Sequence, residues 1–122
     1  MNTSFENFPL YAGQYFSVFF HAETKDSSDV RNYFESCDEA TQASLLKLVT
    51  RISDTGQLFD EDKFRIEDKK NKIYCFKPRD DRFFSFFFTD RRIIITSGYP
   101  KKKQKLDRRE LEKAIRIKSQ YQ

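Results

Sequence analysis

Apolar residues along the chain follow two different periodicities, and each predicts a different kind of element. Residues 14–23 are apolar on both faces of an extended segment, which predicts a first, buried β-strand. Residues 39–56 instead place their apolar side chains on one helical stripe and end at Gly56, a residue that suits a helix C-terminus. Between these segments, Ser27 or Ser28 can cap a shorter helix. The first half of the chain therefore predicts one strand followed by two helices.

Two strongly apolar runs in the second half, residues 82–88 and 92–99, predict a β-hairpin. Both runs are rich in aromatic or β-branched residues, and the polar pair Asp90 and Arg91 separates them. A two-residue loop would pair Phe88 with Ile93, Phe86 with Ile95, Phe84 with Ser97, and Arg82 with Tyr99.

Alternation along the first of these strands predicts that both faces of the hairpin are apolar. Phe84, Phe86 and Phe88 would face one side, whereas Phe83 and Phe87 would face the other. We expect helices to cover one face. The other face would be covered by residues 1–13, which contain several aromatic residues, or would be left for a partner.

The remaining elements complete an α+β fold. Residues 63–66 and 72–77 are candidate strands around a polar turn, and Asp107 can cap a C-terminal helix. We therefore expect a small, mostly antiparallel sheet of about four strands, packed against two N-terminal helices, with a C-terminal helix. The 122 residues are expected to form a single domain, 1–122, with residues 1–13 as an N-terminal extension.

Composition narrows the classes of function. The net charge of +4 and the basic pI of about 9.1 favour a polyanionic partner. The two cysteines, Cys37 and Cys75, lack metal-ligand spacing, so neither a zinc site nor a disulfide scaffold is indicated. No apolar run is long enough to cross a bilayer. We expect a reduced, cytoplasmic protein that binds no metal and needs no cofactor.

Basic residues gather at the open end of the predicted hairpin and suggest a phosphate site. Arg82 and Tyr99 would lie side by side there, close to the lysine run that begins at Lys101. Such groups can stabilise charge that develops on a phosphoryl group. Two other interpretations remain open: the run is a solvated surface, and Arg82 pairs with Asp80 or Asp81.

Three further side chains near the chain ends or within strands have ordinary structural interpretations. Cys75 is expected to be a small core residue, His21 a residue at a strand end, and Tyr121 a surface residue at the end of the last helix. Tyr99 can equally serve packing within the sheet.

Five segments in this order resemble the RelE/HigB-type toxins of toxin–antitoxin modules, especially the phage-derived HigB-like branch. They are a short strand, an arginine-led strand, an aliphatic strand, an aromatic-x-Lys-Lys turn and a C-terminal helix. In this chain they correspond to residues 73–77, 82–89, 92–97, 99–102 and 107–118.

The resemblance implies an endoribonuclease that cleaves messenger RNA on translating ribosomes. In this reaction the ribose 2′-hydroxyl attacks its own phosphate, and no metal takes part. The resemblance implies Arg82, Lys102, Lys77 and Tyr99 as catalytic residues, with Arg82 on the scissile phosphate. Arg79, Lys101, Lys103 and Lys105 are implied to bind RNA or the ribosome. The expected partner is a cognate antitoxin, a helix-turn-helix protein, and the free toxin is expected to be monomeric.

Two alternatives remain open, and one departure from the family pattern favours the second of them, a non-catalytic basic domain. Where RelE proper has lysines on the strand before the arginine, this chain has Ile73 and Cys75. One alternative is a ParE-like toxin, which inhibits DNA gyrase by protein contact. The other is a basic domain that binds RNA without cleaving it.

Overall fold

A computed structural model describes residues 7–58, 60–102 and 106–121 of the chain. The predicted RNA-binding residues Lys103 and Lys105 lie outside these residues. The elements, in chain order, are β1 (Asn7–Ala12), β2 (Ser17–His21), α1 (Asp29–Ser36), α2 (Glu39–Thr55), β3 (Phe64–Asp68), β4 (Ile73–Phe76), β5 (Asp81–Phe88), β6 (Arg92–Pro100) and α3 (Arg108–Ser119).

All the strands belong to one six-stranded mixed sheet with the order β1-β2-β6-β5-β4-β3. β2 and β6 are parallel, and the other neighbours are antiparallel. The fold is α+β, but the prediction of a mostly antiparallel sheet of about four strands, packed against two N-terminal helices, is wrong. Two strands precede the helices, and β1 lies inside the segment expected to be an extension, residues 1–13. It pairs with β2, whose other neighbour is the last strand, a long-range pairing that local sequence patterns do not reveal.

Local capping determines where the helices begin and end. Ser28 accepts a hydrogen bond from the first turn of α1, and Asp38 does the same for α2. α2 ends at Gly56, whose φ of 79° places it in the left-handed region, as the sequence predicted. Asp107 caps α3 by accepting hydrogen bonds from two backbone amides. The side chain of Asp107 is thereby fixed next to the end of β6.

The hairpin of β5 and β6 changes register along its length. At its open end the predicted pairs are confirmed: Arg82 with Tyr99, and Phe84 with Ser97. Nearer the turn the prediction is wrong by one residue, and the observed pairs are Phe86 with Ile94 and Phe88 with Arg92. The shift occurs where β6 has an extra residue, Thr96, between two paired positions. The bulge leaves the open end in the predicted register.

Helices cover both faces of the sheet. The core on one face contains Val30, Leu45, Val49 and Phe83 and is covered by α1 and α2. The core on the other face contains Phe84, Phe86, Leu111 and Ile117 and is covered by α3. The expectation that the second face is covered by the N-terminal segment or left for a partner is therefore wrong. Phe8, Leu10 and Tyr11 of that segment pack against the first core instead.

Tyr121 is a core residue, which corrects the expectation of a surface position. Its side chain packs on Phe86 and Phe88, with ring centroids 5.1 and 5.2 Å away, and only 5% of the residue is exposed. Its hydroxyl lies 2.6 Å from Nδ1 of His21 and donates to Oδ1 of Asn7 at 2.8 Å. Tyr121 therefore fastens the end of α3 to β1 and β2.

Among the described helices, none is long and apolar enough to cross a membrane.

Candidate functional site

Strand alternation brings six polar or reactive side chains to one end of the face that α3 covers. The strand pairs Arg65 with Cys75 and Arg82 with Tyr99 place these residues in adjoining rows. Successive residues of a strand face opposite sides, so Glu67 and Lys77 share this face with Arg65 and Cys75. Together they surround a cavity of about 70 Å³, which is lined by Arg65, Glu67, Cys75, Lys77, Arg82, Tyr99, Lys101 and Leu106. We call this space the inner cavity.

A carboxylate held between two cations forms one wall of the inner cavity. Oε2 of Glu67 lies 3.1 Å from Nε of Arg65 and 3.3 Å from Nζ of Lys77. The side chains of Glu67 and Lys77 are only 12% and 10% exposed, so their ion pair is shielded from solvent. Among the described residues, both contacts use Oε2 of Glu67, and none is made to Oε1. Oε1 is thus available to accept a proton from a bound group.

Arg82 is anchored by the backbone rather than by an acid. Its Nη1 donates to the carbonyl oxygens of Asp81 at 2.9 Å and Arg79 at 3.3 Å. Within the described part of the chain, no carboxylate lies within ion-pairing distance of Arg82. The alternative pairing with Asp80 or Asp81 is therefore not formed. The remaining guanidinium N–H groups are available to an anion in the inner cavity.

Tyr99 is a neutral phenol at the boundary of the site. Burial raises the pKa of Tyr99 to about 12, and the Cys75 and Asp107 side chains add to this rise. A hydrogen bond with the Asp107 backbone and the charge of Arg82 act in the opposite direction and lower the pKa. Its ring also packs against Phe84, with centroids 5.6 Å apart. Tyr99 consequently serves both packing and the site, and at neutral pH its hydroxyl donates hydrogen bonds rather than accepting a proton.

The two strand positions at which the sequence departs from RelE proper are core positions. Ile73 is fully buried, and Cys75 is 1% exposed, both in the core covered by α3. Burial raises the pKa of the Cys75 thiol to about 12, and Glu67 adds to this effect. The thiol therefore stays protonated at neutral pH, which agrees with the interpretation of Cys75 as a small core residue.

A second and larger space adjoins the inner cavity. It has a volume of about 510 Å³ and lies between the end of β6 and the beginning of α3. Its lining consists of Tyr99, Pro100, Lys101, Lys102, Leu106, Asp107, Arg108 and Arg109. Three of these residues, Tyr99, Lys101 and Leu106, also line the inner cavity, so the two spaces are adjacent. We call this space the outer cleft.

The structure brings together most of the residues that the sequence singled out. Lys77, Arg82, Tyr99 and Lys101 line the inner cavity, and Lys102 lines the outer cleft. Arg79 lies on the loop before β5, where its backbone carbonyl anchors Arg82.

Sequence reasoning missed Arg65 and Glu67. Their alternation within residues 63–68 was visible, but the face on which they lie follows only from the pairing of β3 with β4. Among the described residues, no group of three or more His, Cys, Asp or Glu side chains is arranged to hold a metal ion.

Comparison with known proteins gives one family match. A family model described as "Phage derived protein Gp49-like" matches residues 32–119, which is more than half of the chain and spans α1 to the end of α3. It includes both the inner cavity and the outer cleft. No curated protein matches the chain. The match agrees with the general toxin family indicated by the sequence, and it does not extend to the HigB-like branch.

Proposed function

We propose, given that this chain belongs to the Gp49-like family of phage-derived proteins, that it is the toxin of a toxin–antitoxin module and an endoribonuclease that cleaves messenger RNA on translating ribosomes. The observation that supports an enzymatic role is the inner cavity, where the Glu67 carboxylate is held by two cations close to Arg82. The aromatic-x-Lys-Lys sequence of Tyr99, Pro100, Lys101 and Lys102, at the end of β6, favours the HigB-like branch.

The inner cavity supplies the groups needed for cleavage by the substrate's own 2′-hydroxyl. Glu67 takes the proton of that hydroxyl while a bond forms between the 2′-oxygen and phosphorus. Arg82 binds the phosphate oxygens and stabilises the negative charge that develops on them. Arg65 and Lys77 hold Glu67 in position and add positive charge. In this scheme Lys77, which the resemblance implies as catalytic, positions Glu67 and does not itself transfer a proton.

The bond from phosphorus to the 5′-oxygen of the next nucleotide then breaks. Lys101, which lines both the inner cavity and the outer cleft, supplies the proton that the leaving oxygen takes up, and Lys102 in the outer cleft adds positive charge. The products are a cyclic phosphate on the upstream fragment and a free 5′-hydroxyl on the downstream fragment. In this scheme the chain needs no metal ion or cofactor.

Regulation would come from a cognate antitoxin of the helix-turn-helix class. The toxin, monomeric when free, would be held inactive in the complex and would act in the cytoplasm once released. This arrangement is typical of the family that the sequence resembles.

The test is cleavage of a defined messenger RNA by the purified chain on translating ribosomes. We expect cuts that leave a cyclic or terminal phosphate upstream and that persist in EDTA when the ribosomes are kept intact by other means. An otherwise identical messenger with a 2′-deoxyribose at the cleaved position should stay whole. Cleavage of the deoxy substrate would make water the nucleophile and would overturn the mechanism.

Induction of the chain alone in a bacterial host distinguishes the alternatives. We expect growth arrest in which translation falls before replication. DNA breaks and an SOS response with intact transcripts would favour a ParE-like gyrase inhibitor. Good soluble expression without any effect on growth would favour a non-catalytic RNA-binding domain.

A further inference from the structure

The outer cleft is the largest part of the site, and the proposed chemistry does not say which part of the substrate binds there. The inner cavity, at about 70 Å³, is well below the size of pockets that hold small organic ligands, so it can take a phosphate group but not a whole nucleotide. The outer cleft, at about 510 Å³, falls within the range of pockets that bind small organic ligands. An RNA strand whose phosphate enters the inner cavity must therefore place a neighbouring nucleotide elsewhere.

The outer cleft lies beside the inner cavity and is therefore within reach of that nucleotide. Tyr99, Lys101 and Leu106 line both spaces, so a nucleotide next to a phosphate in the inner cavity can lie in the outer cleft. Tyr99 lines both spaces and its ring packs against Phe84, which restricts the movement of the ring. A rigid aromatic ring at such a point is a suitable stacking surface for a base.

The lining of the outer cleft matches the two parts of a nucleotide. Tyr99, Pro100 and Leu106 give it an apolar side, on which a planar base can lie. Arg108 and Arg109, at the beginning of α3, give it a cationic side that can bind a phosphate.

The one acid in this lining, Asp107, is already engaged within the protein. Oδ1 of Asp107 accepts hydrogen bonds from the backbone amides of Arg109 at 3.0 Å and Glu110 at 3.2 Å. These bonds orient the carboxylate toward the helix that it caps, and cations therefore dominate the cleft.

We propose that the outer cleft binds the nucleotide adjacent to the scissile phosphate of a single-stranded RNA, with its base stacked on Tyr99 and its phosphate held by Arg108 and Arg109. This inference rests on the proposed function for the identity of the substrate. It assigns Tyr99 to substrate binding, which agrees with the neutral state of its phenol. Sequence and fold together thus give α3 a second role beyond covering the sheet.

Binding of two short oligonucleotides that cannot be cleaved tests this proposal. One is a 2′-O-methyl hexanucleotide with all its bases, and the other is the same backbone with abasic sites at its central positions. For the wild-type chain, we expect binding of the full oligonucleotide to be about 5- to 100-fold tighter, the range typical of one stacked base. Tyr99→Phe should keep this preference, and Tyr99→Leu should lose most of it. Tyr15→Leu, at an exposed tyrosine outside both spaces, is the matched control.

A second pair of variants tests the phosphate contact. Arg109→Ala should weaken the binding of both oligonucleotides and reduce the salt dependence of affinity by about one counterion. Arg116→Ala, at an exposed residue farther along α3, should change neither quantity.

The outcomes separate this proposal from the proposed function. Circular dichroism first shows that wild type and Tyr99→Leu are both folded. If the two proteins then prefer the full oligonucleotide over the abasic one by the same factor, the outer-cleft proposal is overturned, even if messenger RNA is cleaved. Failure of the wild-type chain to bind either oligonucleotide would also overturn it. The expected pattern of binding without any cleavage of messenger RNA would instead leave the cleft as a nucleotide site and remove the enzymatic function.

Discussion

The hydroxyl of Tyr33 on α1 donates a hydrogen bond to the carboxylate of Asp81, the first residue of β5. Burial and this carboxylate both raise the pKa of the Tyr33 phenol, so the donor keeps its proton at any physiological pH. Asp81 and Arg82 are neighbours in a strand, and their side chains therefore face opposite sides of the sheet. The bond holds the negative charge of Asp81 on the α1 side, away from the guanidinium of Arg82.

Loss of this hydrogen bond should destabilise the protein. Tyr33→Phe leaves Asp81 without its partner, and we expect the free energy of unfolding to fall by about 1–3 kcal/mol. Urea denaturation measures the change. Tyr15→Phe removes the hydroxyl of an exposed tyrosine and should alter stability by less than about 0.5 kcal/mol. Equal stability of wild type and Tyr33→Phe would show that the bond contributes nothing to folding.

Substitution of Arg82 should affect cleavage much more than folding. Its guanidinium is bound only by backbone carbonyls, so Arg82→Ala breaks no ion pair among the described residues. We expect the rate of messenger cleavage to fall about 100- to 1,000-fold or more, with little change in the thermal midpoint. Arg51→Ala, at an exposed residue of α2, is the control. Unfolding of Arg82→Ala, or full activity, would assign Arg82 a structural role only.

Glu67→Gln tests the proposed base. Glutamine keeps the shape of the side chain but cannot take up the proton of the 2′-hydroxyl, so we expect cleavage to slow by about 100- to 10,000-fold. RNA affinity should not decrease, because a negative charge is removed from a cationic site. Single-turnover rates and binding to the 2′-deoxy substrate separate the two effects. Glu61→Gln, at an exposed position before β3, should behave like wild type, and a Glu67→Gln enzyme of normal rate would rule out Glu67 as the base.

Alkaline pH should destabilise the folded chain. Burial raises the pKa values of Tyr33 and Tyr121 above the ordinary value of 10.0, so the native state holds protons that the unfolded chain releases first. Since the unfolded state then binds fewer protons, the free energy of unfolding falls as the pH rises above about 10. Urea midpoints measured between pH 8 and 11 check this. Tyr121→Phe should show a shallower fall, and an unchanged slope would exclude Tyr121 as a source of the effect.

The helices and the open end of the hairpin could be predicted from the sequence because local signals determine them. α2 ends at Gly56 and α3 is capped by Asp107, as the patterns indicated. The pairing of Arg82 with Tyr99 also emerged correctly, because the extra residue Thr96 in β6 compensates for a loop that is one residue longer than expected. The pairs between the bulge and the turn were wrong, since Phe88 pairs with Arg92 and the loop therefore contains three residues rather than two.

Pairings between distant segments could not be predicted in this way. The parallel neighbours β2 and β6 are separated by two helices and three strands, and no local pattern specifies their contact. For the same reason the sequence did not predict the role of Glu67, which reaches the inner cavity only because β3 pairs with β4. Tyr121 was assigned to the surface because its position at a helix end suggested exposure. In the structure its ring packs on Phe86 and its hydroxyl lies beside His21, so the residue is buried.

The central place of β6 in the sheet has a consequence for the timing of activity during synthesis. β2 leaves the ribosome early, but its parallel neighbour is made only after most of the chain, so β2 must wait for β6 before the sheet can close. Non-local pairing of this kind slows folding. Arg82 and Tyr99 cannot face each other before β6 has emerged either. A nascent chain therefore lacks an assembled site until β6 has left the ribosome.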